Sequence, residues 1–183
     1  MKEANNLIRE FSVSQVIFNP DSYNDLELSL IKLLEQRKIK YYQNVKRVGL
    51  SNLQLSFLNT KLYDNENDNS NVLYFSYFNF QFLLMGDASK KRESDILVNY
   101  NLQNIDFLKV GHHGSNTSSS KEFISKISPK YSLISVGKDN RYGHPKDSVL
   151  DILKDTKIYR TDINGSIEIQ LKKNKYKIRT CSP

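Results

Sequence analysis

The sequence predicts an α/β domain in which a mixed sheet is flanked by helices. Short apolar runs of strand length recur along the chain, bounded by Gly, Pro, Asn, Asp or Ser. In the second half these runs alternate with segments of helical spacing, an order typical of helices layered on a sheet. A length of 183 residues suits one buried core, so we expect a single domain over 1–183.

The first half is expected to hold two helices and several strands. A helical pattern ends at Phe11, and a second helix covers 24–37 with Asn24 or Asp25 as its N-cap. A polar loop is expected over 63–71. The expected strands are 14–19, 39–43 and 53–59, followed by a hairpin of 72–78 and 80–86 around Phe78-Asn79.

The second half is expected to alternate between helices and strands. A helix over 90–100 precedes a buried strand at 105–110. The next helix follows a Ser-rich segment, with Ser118 or Ser119 as its N-cap, and Pro145 opens a further helix as an N1 proline. The remaining expected strands are 131–136, 157–161, 166–171 and 175–180.

The composition restricts the classes of protein and partner. The formal net charge is +7, which favours a polyanionic partner, although a solvated Lys-rich surface is the alternative explanation. Cys181 is the one cysteine, so an internal disulfide is excluded. No apolar run approaches the roughly 18 residues that span a bilayer. We therefore expect a soluble chain.

Side chains that bind metals follow three of the expected strands. Asp87 comes directly after an apolar run, His112 and His113 lie between two glycines, and His144 precedes a proline. Loops at the ends of strands are common places for functional sites. Carboxylate oxygen and neutral imidazole nitrogen suit Zn, Mn or Fe. The sequence therefore predicts that an aspartate and histidines from separate strand ends converge on one metal ion.

Each candidate residue also has a second interpretation. Asp87 is suited to cap the helix over 90–100. The adjacent histidines are expected on an extended segment, one binding metal and the other facing substrate, or they are loop residues without a role. His144 either protonates a leaving group or binds phosphate with Arg141, or it belongs to a turn before a helix. Ser115 either faces a phosphate or caps the next helix.

Four segments together resemble a known family. They are GDA at 86–88, LKVGHHGSNTSSS at 108–120, SVGKDNRYGHP at 135–145 and YRTDINGSI at 159–167. In this order they resemble the C-terminal metallo-β-lactamase-like domain of ComEC-type competence proteins, which are bacterial membrane proteins that admit transforming DNA. The resemblance implies that the α/β domain is the second half of a metallo-β-lactamase-like αββα sandwich.

The resemblance also implies a role for each candidate residue. Asp87 and His113 are implied to be metal ligands and His112 a neighbour facing substrate, with either register of the histidine pair open. His144 corresponds to a family-specific histidine near the pocket, and we expect it to act in catalysis with His112. The expected substrate-binding residues are Asn69, Ser70, Ser115 and Arg141.

The implied activity is that of a metal-dependent hydrolase with Zn or Mn, a phosphodiesterase or nuclease acting on DNA during uptake. The implied partners are DNA and the membrane channel domain of the parent protein at the bacterial cell envelope. The superfamily's site uses an N-terminal His-x-His-x-Asp-His cluster, whereas no histidine precedes His112. We therefore expect an N-terminally truncated domain that binds metal incompletely and is inactive alone. The alternatives are a non-catalytic basic remnant or binding module, and a small-ester hydrolase of the same fold.

Overall fold

The computed structural model describes residues 2–20, 23–50 and 53–182. The chain divides into two units, Met1–Val45 and Lys46–Pro183. The expected α/β class with a mixed sheet and flanking helices is confirmed, and the expectation of a single partial domain stays a prediction. Among the described residues, no helix combines the length and the apolar composition that crossing a bilayer requires.

The first unit pairs two helices with a short parallel sheet. The α2 helix begins as expected after Asn24, whose side chain accepts the Glu27 N–H while the Glu27 carboxylate accepts the Asn24 N–H. This reciprocal capping box satisfies two backbone donors at the start of the helix. The apolar core of the first unit includes Ile8, Leu30 and Leu34. The elements are α1 (Lys2–Glu10), β1 (Gln15–Ile17), α2 (Asp25–Gln36) and β2 (Lys40–Tyr42).

A seven-stranded mixed sheet organises the second unit, with its strands in chain order from β3 to β9. Neighbours from β3 to β6 are antiparallel, and neighbours from β6 to β9 are parallel. The strands are β3 (Arg47–Leu50), β4 (Leu53–Phe57), β5 (Leu73–Tyr77), β6 (Phe80–Leu84), β7 (Phe107–Lys109), β8 (Tyr131–Ile134) and β9 (Lys157–Arg160). The β3 strand was not expected from the sequence.

Helices connect the parallel strands, and a hairpin ends the chain. The connecting helices are α3 (Lys90–Asn99), α4 (Lys121–Ile127) and α5 (Asp147–Ile152), and α6 (Thr161–Asn164) follows β9. The hairpin consists of β10 (Ser166–Lys172) and β11 (Lys175–Cys181), and it forms a separate sheet. Short 3-10 turns cover Glu66–Asn69 and Gly111–Gly114. Because β6, β7 and β8 are parallel, their carboxyl ends lie at one edge of the sheet.

The two faces of the large sheet have different packing. On one face, Leu83 and Leu108 join residues of α3, α4 and α5 in the main apolar core. On the other face, aromatic rings form a row across four neighbouring strands, because the register places them side by side. The ring centroids are 4.7 Å apart for Phe75 and Phe82, 4.8 Å for Phe82 and Phe107, and 5.2 Å for Phe107 and Tyr131.

The α4 helix begins later than the sequence predicted. Its N-cap is Ser120, which accepts the Phe123 N–H, so the prediction of Ser118 or Ser119 was wrong. The buried carboxylate of Glu93 explains the shift, because it accepts the N–H groups of Ser119 and Ser120 at 2.5 and 2.8 Å. If α4 began one or two residues earlier, the N–H groups of Ser119 and Ser120 would point along the helix and could not donate to Glu93 in this way. Burial raises the pKa of Glu93.

The α5 helix also begins later than expected, at Asp147 with Lys146 as its N-cap. The prediction that Pro145 occupies the first helical position was therefore wrong. Pro145 is buried against Gly114, where an added Cβ would lie 2.6 Å from the Pro145 Cβ. The Lys146 N–H donates to the Gly114 carbonyl at 2.9 Å. These contacts hold the proline against the preceding loop instead of in the helix.

We predict that Phe107→Ala destabilises the chain by about 3–5 kcal/mol, because Phe107 is fully buried at the centre of the aromatic row. Urea unfolding followed by far-ultraviolet circular dichroism measures this change. The control is Val98→Ala on the exposed face of α3, for which a change within about 0.5 kcal/mol is expected. Equal effects of the two substitutions would contradict the packing described.

Candidate functional site

Three loops meet at the sheet edge formed by the carboxyl ends of β6, β7 and β8. The first contains Asp87, the second is the turn Gly111–Gly114, and the third covers 135–145. The His112 N–H donates to the Gly86 carbonyl at 3.0 Å and joins the first loop to the second. Candidate residues that are far apart in sequence are thereby brought together.

Asp87 and His113 face each other across this edge. The Oδ1 atom of Asp87 lies 3.7 Å from the Nε2 atom of His113, and both side chains are close to half exposed. The Nδ1 atom of His113 lies 2.6 Å from the Ser135 carbonyl oxygen, which joins the second loop to the third. Ser89 caps α3, so the alternative interpretation of Asp87 as that cap is excluded.

The Ser135 carbonyl determines which nitrogen of His113 carries a proton. A carbonyl can only accept a hydrogen bond, so Nδ1 must be the donor. In the neutral ring, Nε2 then carries a lone pair and lies 3.7 Å from a carboxylate oxygen of Asp87. Two such acceptors attract each other only through a proton or a cation between them.

The donor set of Asp87 and His113 fits a divalent metal ion. Two ligand atoms bound at about 2.0–2.2 Å to one tetrahedral ion lie roughly 3.3–3.6 Å apart. The 3.7 Å separation is close to that range. A ligating histidine usually donates its other ring N–H to a carbonyl or carboxylate, as His113 does to Ser135. Within the part of the chain that the structure describes, no three His, Cys, Asp or Glu residues group as a metal site.

The two adjacent histidines do not lie on an extended segment, so that expectation was wrong. His112 has φ 45° and ψ 45°, and His113 has φ 55° and ψ 20°, which places both in the left-handed region. Their ring centroids are 6.4 Å apart. The Nδ1 atom of His112 lies 3.2 Å from the Thr117 hydroxyl. The turn thus directs one ring to Asp87 and the other to the loop that precedes α4.

His144 is held beside His112 by Asn140. The Asn140 side chain accepts the His144 N–H at 2.9 Å and donates to the His144 carbonyl at 2.8 Å. The His144 ring centroid lies 6.2 Å from that of His112. The His144 ring also stacks on that of Tyr142, with centroids 5.8 Å apart and an angle of 17° between the ring planes. One amide therefore fixes the backbone that positions this imidazole.

The environment of His144 disfavours its charged form. Burial lowers its pKa, and the nearby charges of Lys146, His112 and His113 act in the same direction. Its Nδ1 atom is buried and has no hydrogen-bond partner among the described residues. A cavity of about 200 Å³ lies beside the ring, and its lining residues are His113, Val136, Gly137, Asn140, Tyr142 and His144.

Of the two candidates in the 63–71 loop, Ser70 lies at the site and Asn69 does not. The Asp87 N–H donates to the Ser70 hydroxyl at 3.2 Å. Asn69 is fully buried, and its side-chain amide bonds to both the N–H and the carbonyl of Tyr63. Asn69 therefore braces the loop that presents Ser70.

The other two predicted substrate residues have different exposures. Ser115 is buried, and its hydroxyl lies 3.0 Å from that of Thr117. Ser115 does not cap α4, which begins after Ser120; it ends the turn Gly111–Gly114, where its N–H donates to the His112 carbonyl at 2.9 Å. Arg141 is exposed, donates to the Tyr142 hydroxyl at 2.6 Å and lies over the Tyr142 ring. Arg141 is thus the candidate with a cation accessible to an anionic ligand.

Residues that support the site were missed in the sequence. Ser135 acts through its carbonyl, which no sequence pattern identifies. Asn140 lies in a turn-rich segment, where an Asn is a known turn former. Lys109 interrupts an apolar strand, which was a usable signal. Burial lowers the pKa of Lys109, and the nearby Asp87 carboxylate opposes that shift.

Sequence comparisons relate the chain to bacterial competence proteins. ComE operon protein 3 of Bacillus subtilis (strain 168) is 36% identical over 137 residues, which are 71% of this chain and 18% of that protein. The chain is homologous to the ComEC-type competence proteins. Two further relatives are competence protein ComA of Neisseria gonorrhoeae, 39% identical over 49% of the chain and 13% of the relative, and recombination protein 2 of Haemophilus influenzae, 32% identical over 62% and 14%.

The expected resemblance to ComEC-type proteins is confirmed by these relatives, although the chain spans less than a fifth of the length of each. No protein-family model matches the chain. Among solved structures, a putative Zn-dependent hydrolase of the metallo-β-lactamase superfamily from Thermotoga maritima aligns with a TM-score of 0.40 and 12% identity, covering 81% of each chain.

We predict that Gly114→Ala lowers the free energy of unfolding by about 2–4 kcal/mol. Gly114 has φ +80°, and an added Cβ would lie 2.6 Å from Pro145. The matched control is Gly49→Ala, where no atom of the described residues other than its chain neighbours lies within 4 Å of the added Cβ, and a change within about 0.5 kcal/mol is expected. Urea unfolding compares the two. A tolerated Gly114→Ala would show that the loop of Pro145 does not depend on close approach to the histidine turn.

Proposed function

We propose that this chain supplies Asp87 and His113 as ligands to a divalent metal, Zn or Mn, in a phosphodiesterase site that acts on DNA. One observation carries the proposal. The Ser135 carbonyl fixes the proton of His113 on Nδ1, so that Nε2 faces the Asp87 carboxylate at 3.7 Å. Homology to competence proteins supports DNA as the substrate class, and the formal charge of +7 is complementary to a polyanion.

When bound, a divalent cation polarises a phosphoryl oxygen and lowers the pKa of a coordinated water molecule. The remaining roles belong to side chains around the pair. His112 is assigned a proton transfer, because its Nδ1 pairs with Thr117 and its other ring nitrogen remains for substrate. His144 is assigned the second, since Asn140 holds it beside His112. Arg141 binds a substrate phosphate.

Ser70 and Ser115 contribute to the shape of the substrate side of the site. Ser70 accepts the Asp87 N–H, so it fixes the backbone from which the carboxylate projects. Ser115 is buried next to Thr117, so it acts on the substrate through the loop and not by exposed contact. Both assignments follow from the hydrogen-bond partners of the two hydroxyl groups within the protein.

The proposal includes negligible turnover by the chain alone. A catalytic zinc is normally held by three protein ligands. Among the described residues Asp87 and His113 provide two, and no larger group of ligating residues is present there. The same count favours a second candidate function, a basic module that binds nucleic acid without cleaving it. In both cases, association with the membrane channel domain of the parent protein at the cell envelope is part of the proposal.

We predict weak binding of Mn²⁺ or Zn²⁺ that depends on the Asp87 and His113 pair. Isothermal titration calorimetry should show that Asp87→Asn and His113→Gln each weaken binding by at least about tenfold, because each removes a direct ligand. The control is Asp147→Asn, which removes an equal charge from the exposed first turn of α5. Metal binding that is unchanged in both site variants would remove the basis of the proposed function.

We predict no detectable cleavage of single- or double-stranded DNA by the purified, Mn²⁺-loaded chain, because the described part of the chain brings no third ligand to the pair of Asp87 and His113. A gel-based cleavage assay with end-labelled DNA measures this. Robust turnover that disappears in Asp87→Ala and His113→Ala would show that the chain is a complete enzyme. Hydrolysis of phosphorylcholine-like esters or lactones without DNA cleavage would instead favour a small-ester hydrolase.

A further inference from the structure

A second cavity, of about 470 Å³, opens on the side of the sheet that carries β3 and β4. Its volume lies within the range of roughly 300–1,000 Å³ that is common for ligand pockets. None of the described residues that line it is acidic. They comprise two cations, two tyrosines, three amide or hydroxyl side chains and three others: Lys46, Arg47, Tyr74, Tyr100, Asn59, Asn101, Ser56, Phe57, Leu58 and Leu102.

The sheet register arranges part of this lining in order of polarity. Arg47 of β3 pairs with Ser56 of β4, and Ser56 pairs with Tyr74 of β5. Side chains that are directly opposite in neighbouring strands lie on the same face of a sheet. The row therefore begins with a guanidinium at the edge strand, continues with a hydroxyl, and ends at an aromatic ring. Lys46, which is also exposed, adds a second cation at the outer end.

Both tyrosine rings are restrained at their hydroxyl ends. The Tyr74 hydroxyl donates to the Gln81 side-chain oxygen at 3.1 Å, and its ring packs against the main core. The Tyr100 hydroxyl donates to the Asn59 carbonyl at 3.5 Å. The Asn59 side chain is itself fixed, because it accepts a hydrogen bond from the buried Arg92. Rings that are already restrained lose little conformational freedom when a planar ligand stacks on them.

We propose that this cavity is a nucleotide subsite that holds one nucleotide of a single-stranded DNA segment. Lys46 and Arg47 bind its phosphates, Tyr100 stacks on the base, and the amide of Asn101 contacts the base edge. Cationic grooves with aromatic platforms are the usual means of binding single strands without sequence preference. This inference rests on the proposed function for the identity of the polymer, and it adds where a flanking nucleotide is held.

Hydrogen bonds connect the cavity wall to the candidate metal pair. The Asn59 side chain donates to the Asn71 side-chain oxygen at 3.1 Å. Ser70, the neighbour of Asn71, accepts the Asp87 N–H. The wall of the cavity and the backbone of Asp87 are thus linked by hydrogen bonds through the loop that contains Ser70 and Asn71. A strand seated in the cavity would be held by the same loop that shapes the metal pair.

Fluorescence anisotropy with a labelled oligothymidylate tests the phosphate contacts, using the full chain in EDTA so that no metal contributes. The double variant Lys46→Gln with Arg47→Gln should weaken binding at least about fivefold and reduce the slope of log affinity against log salt by about 1.4, since each lost phosphate contact contributes about 0.7. The matched control, Lys172→Gln with Lys173→Gln, removes the same charge from the β10–β11 hairpin. Equal losses in both doubles, or no loss in either, would overturn the proposal.

Two further measurements test the aromatic part. Tyr100→Leu should weaken oligothymidylate binding by about fivefold or more, whereas Tyr42→Leu, at an exposed tyrosine of β2, should not. Thermal unfolding of each variant establishes that it is folded. Thymidine monophosphate should displace the labelled strand more effectively than inorganic phosphate, and equal displacement by the two would overturn the assignment of a base-stacking site.

The metal-binding variant separates this inference from the proposed function. Asp87→Ala should bind the oligothymidylate as tightly as the native chain, because the cavity residues do not include Asp87. Metal binding that Asp87→Ala leaves unchanged, together with strand binding in EDTA that the variant retains, would leave the subsite standing while the hydrolase proposal fails. A strand affinity that depends on Asp87 and not on Lys46 and Arg47 would place DNA at the metal pair alone and contradict the subsite.

Discussion

The candidate site depends on the hydrogen bond between the His113 Nδ1 atom and the Ser135 carbonyl. It joins the turn after β7 to the loop after β8, and it fixes the ring so that Nε2 faces Asp87. Parallel pairing of β6, β7 and β8 brings these loops to one edge, but pairing alone does not orient a side chain. A backbone carbonyl is a suitable orienting group, because its position is set by the strand that precedes it. The orientation of the His113 ring, and the ring nitrogen that carries its proton, are therefore set by the main chain that follows β8.

Close approach of these loops requires glycine at two positions. Gly86 has φ +58°, and a Cβ there would lie 2.7 Å from the Ser70 Cβ. Gly114 has a positive φ as well and contacts Pro145 in the same manner. A side chain at either position would push apart loops that hydrogen bonds hold together. The glycines flanking the candidate residues thus allow the loops that carry Asp87 and the histidines to approach each other closely.

The sequence was sufficient where a local pattern determines the structure. The α2 helix and the hairpin around Phe78-Asn79 follow from short-range rules, and both were predicted, with Asn24 as one of two candidate caps for the helix. The same rules could not give the left-handed conformation of His112 and His113, because the sign of φ there depends on contacts with other loops. The N-cap of α4 was predicted wrongly for a similar reason. It is Ser120, because hydrogen bonds to Glu93 of another helix determine where α4 begins. The convergence of Asp87 with the histidines was predictable from strand ends, whereas the role of Ser135 was not.

Under the proposed function, charge balance would make the pair of Asp87 and His113 better suited to a phosphodiester than to a neutral ester. A divalent cation held by the single carboxylate of Asp87 retains a net positive charge, because His113 is a neutral ligand when its Nδ1 carries the proton. Arg141 adds a further cation in an exposed position. A phosphodiester has one negative charge and is attracted to both cations, whereas a carboxylic ester or lactone has no net charge and interacts with them only through its weaker dipole. Under the proposed function, the small number of carboxylates that the described residues bring to this edge would favour an anionic substrate, so that substrate and metal would stabilise each other there.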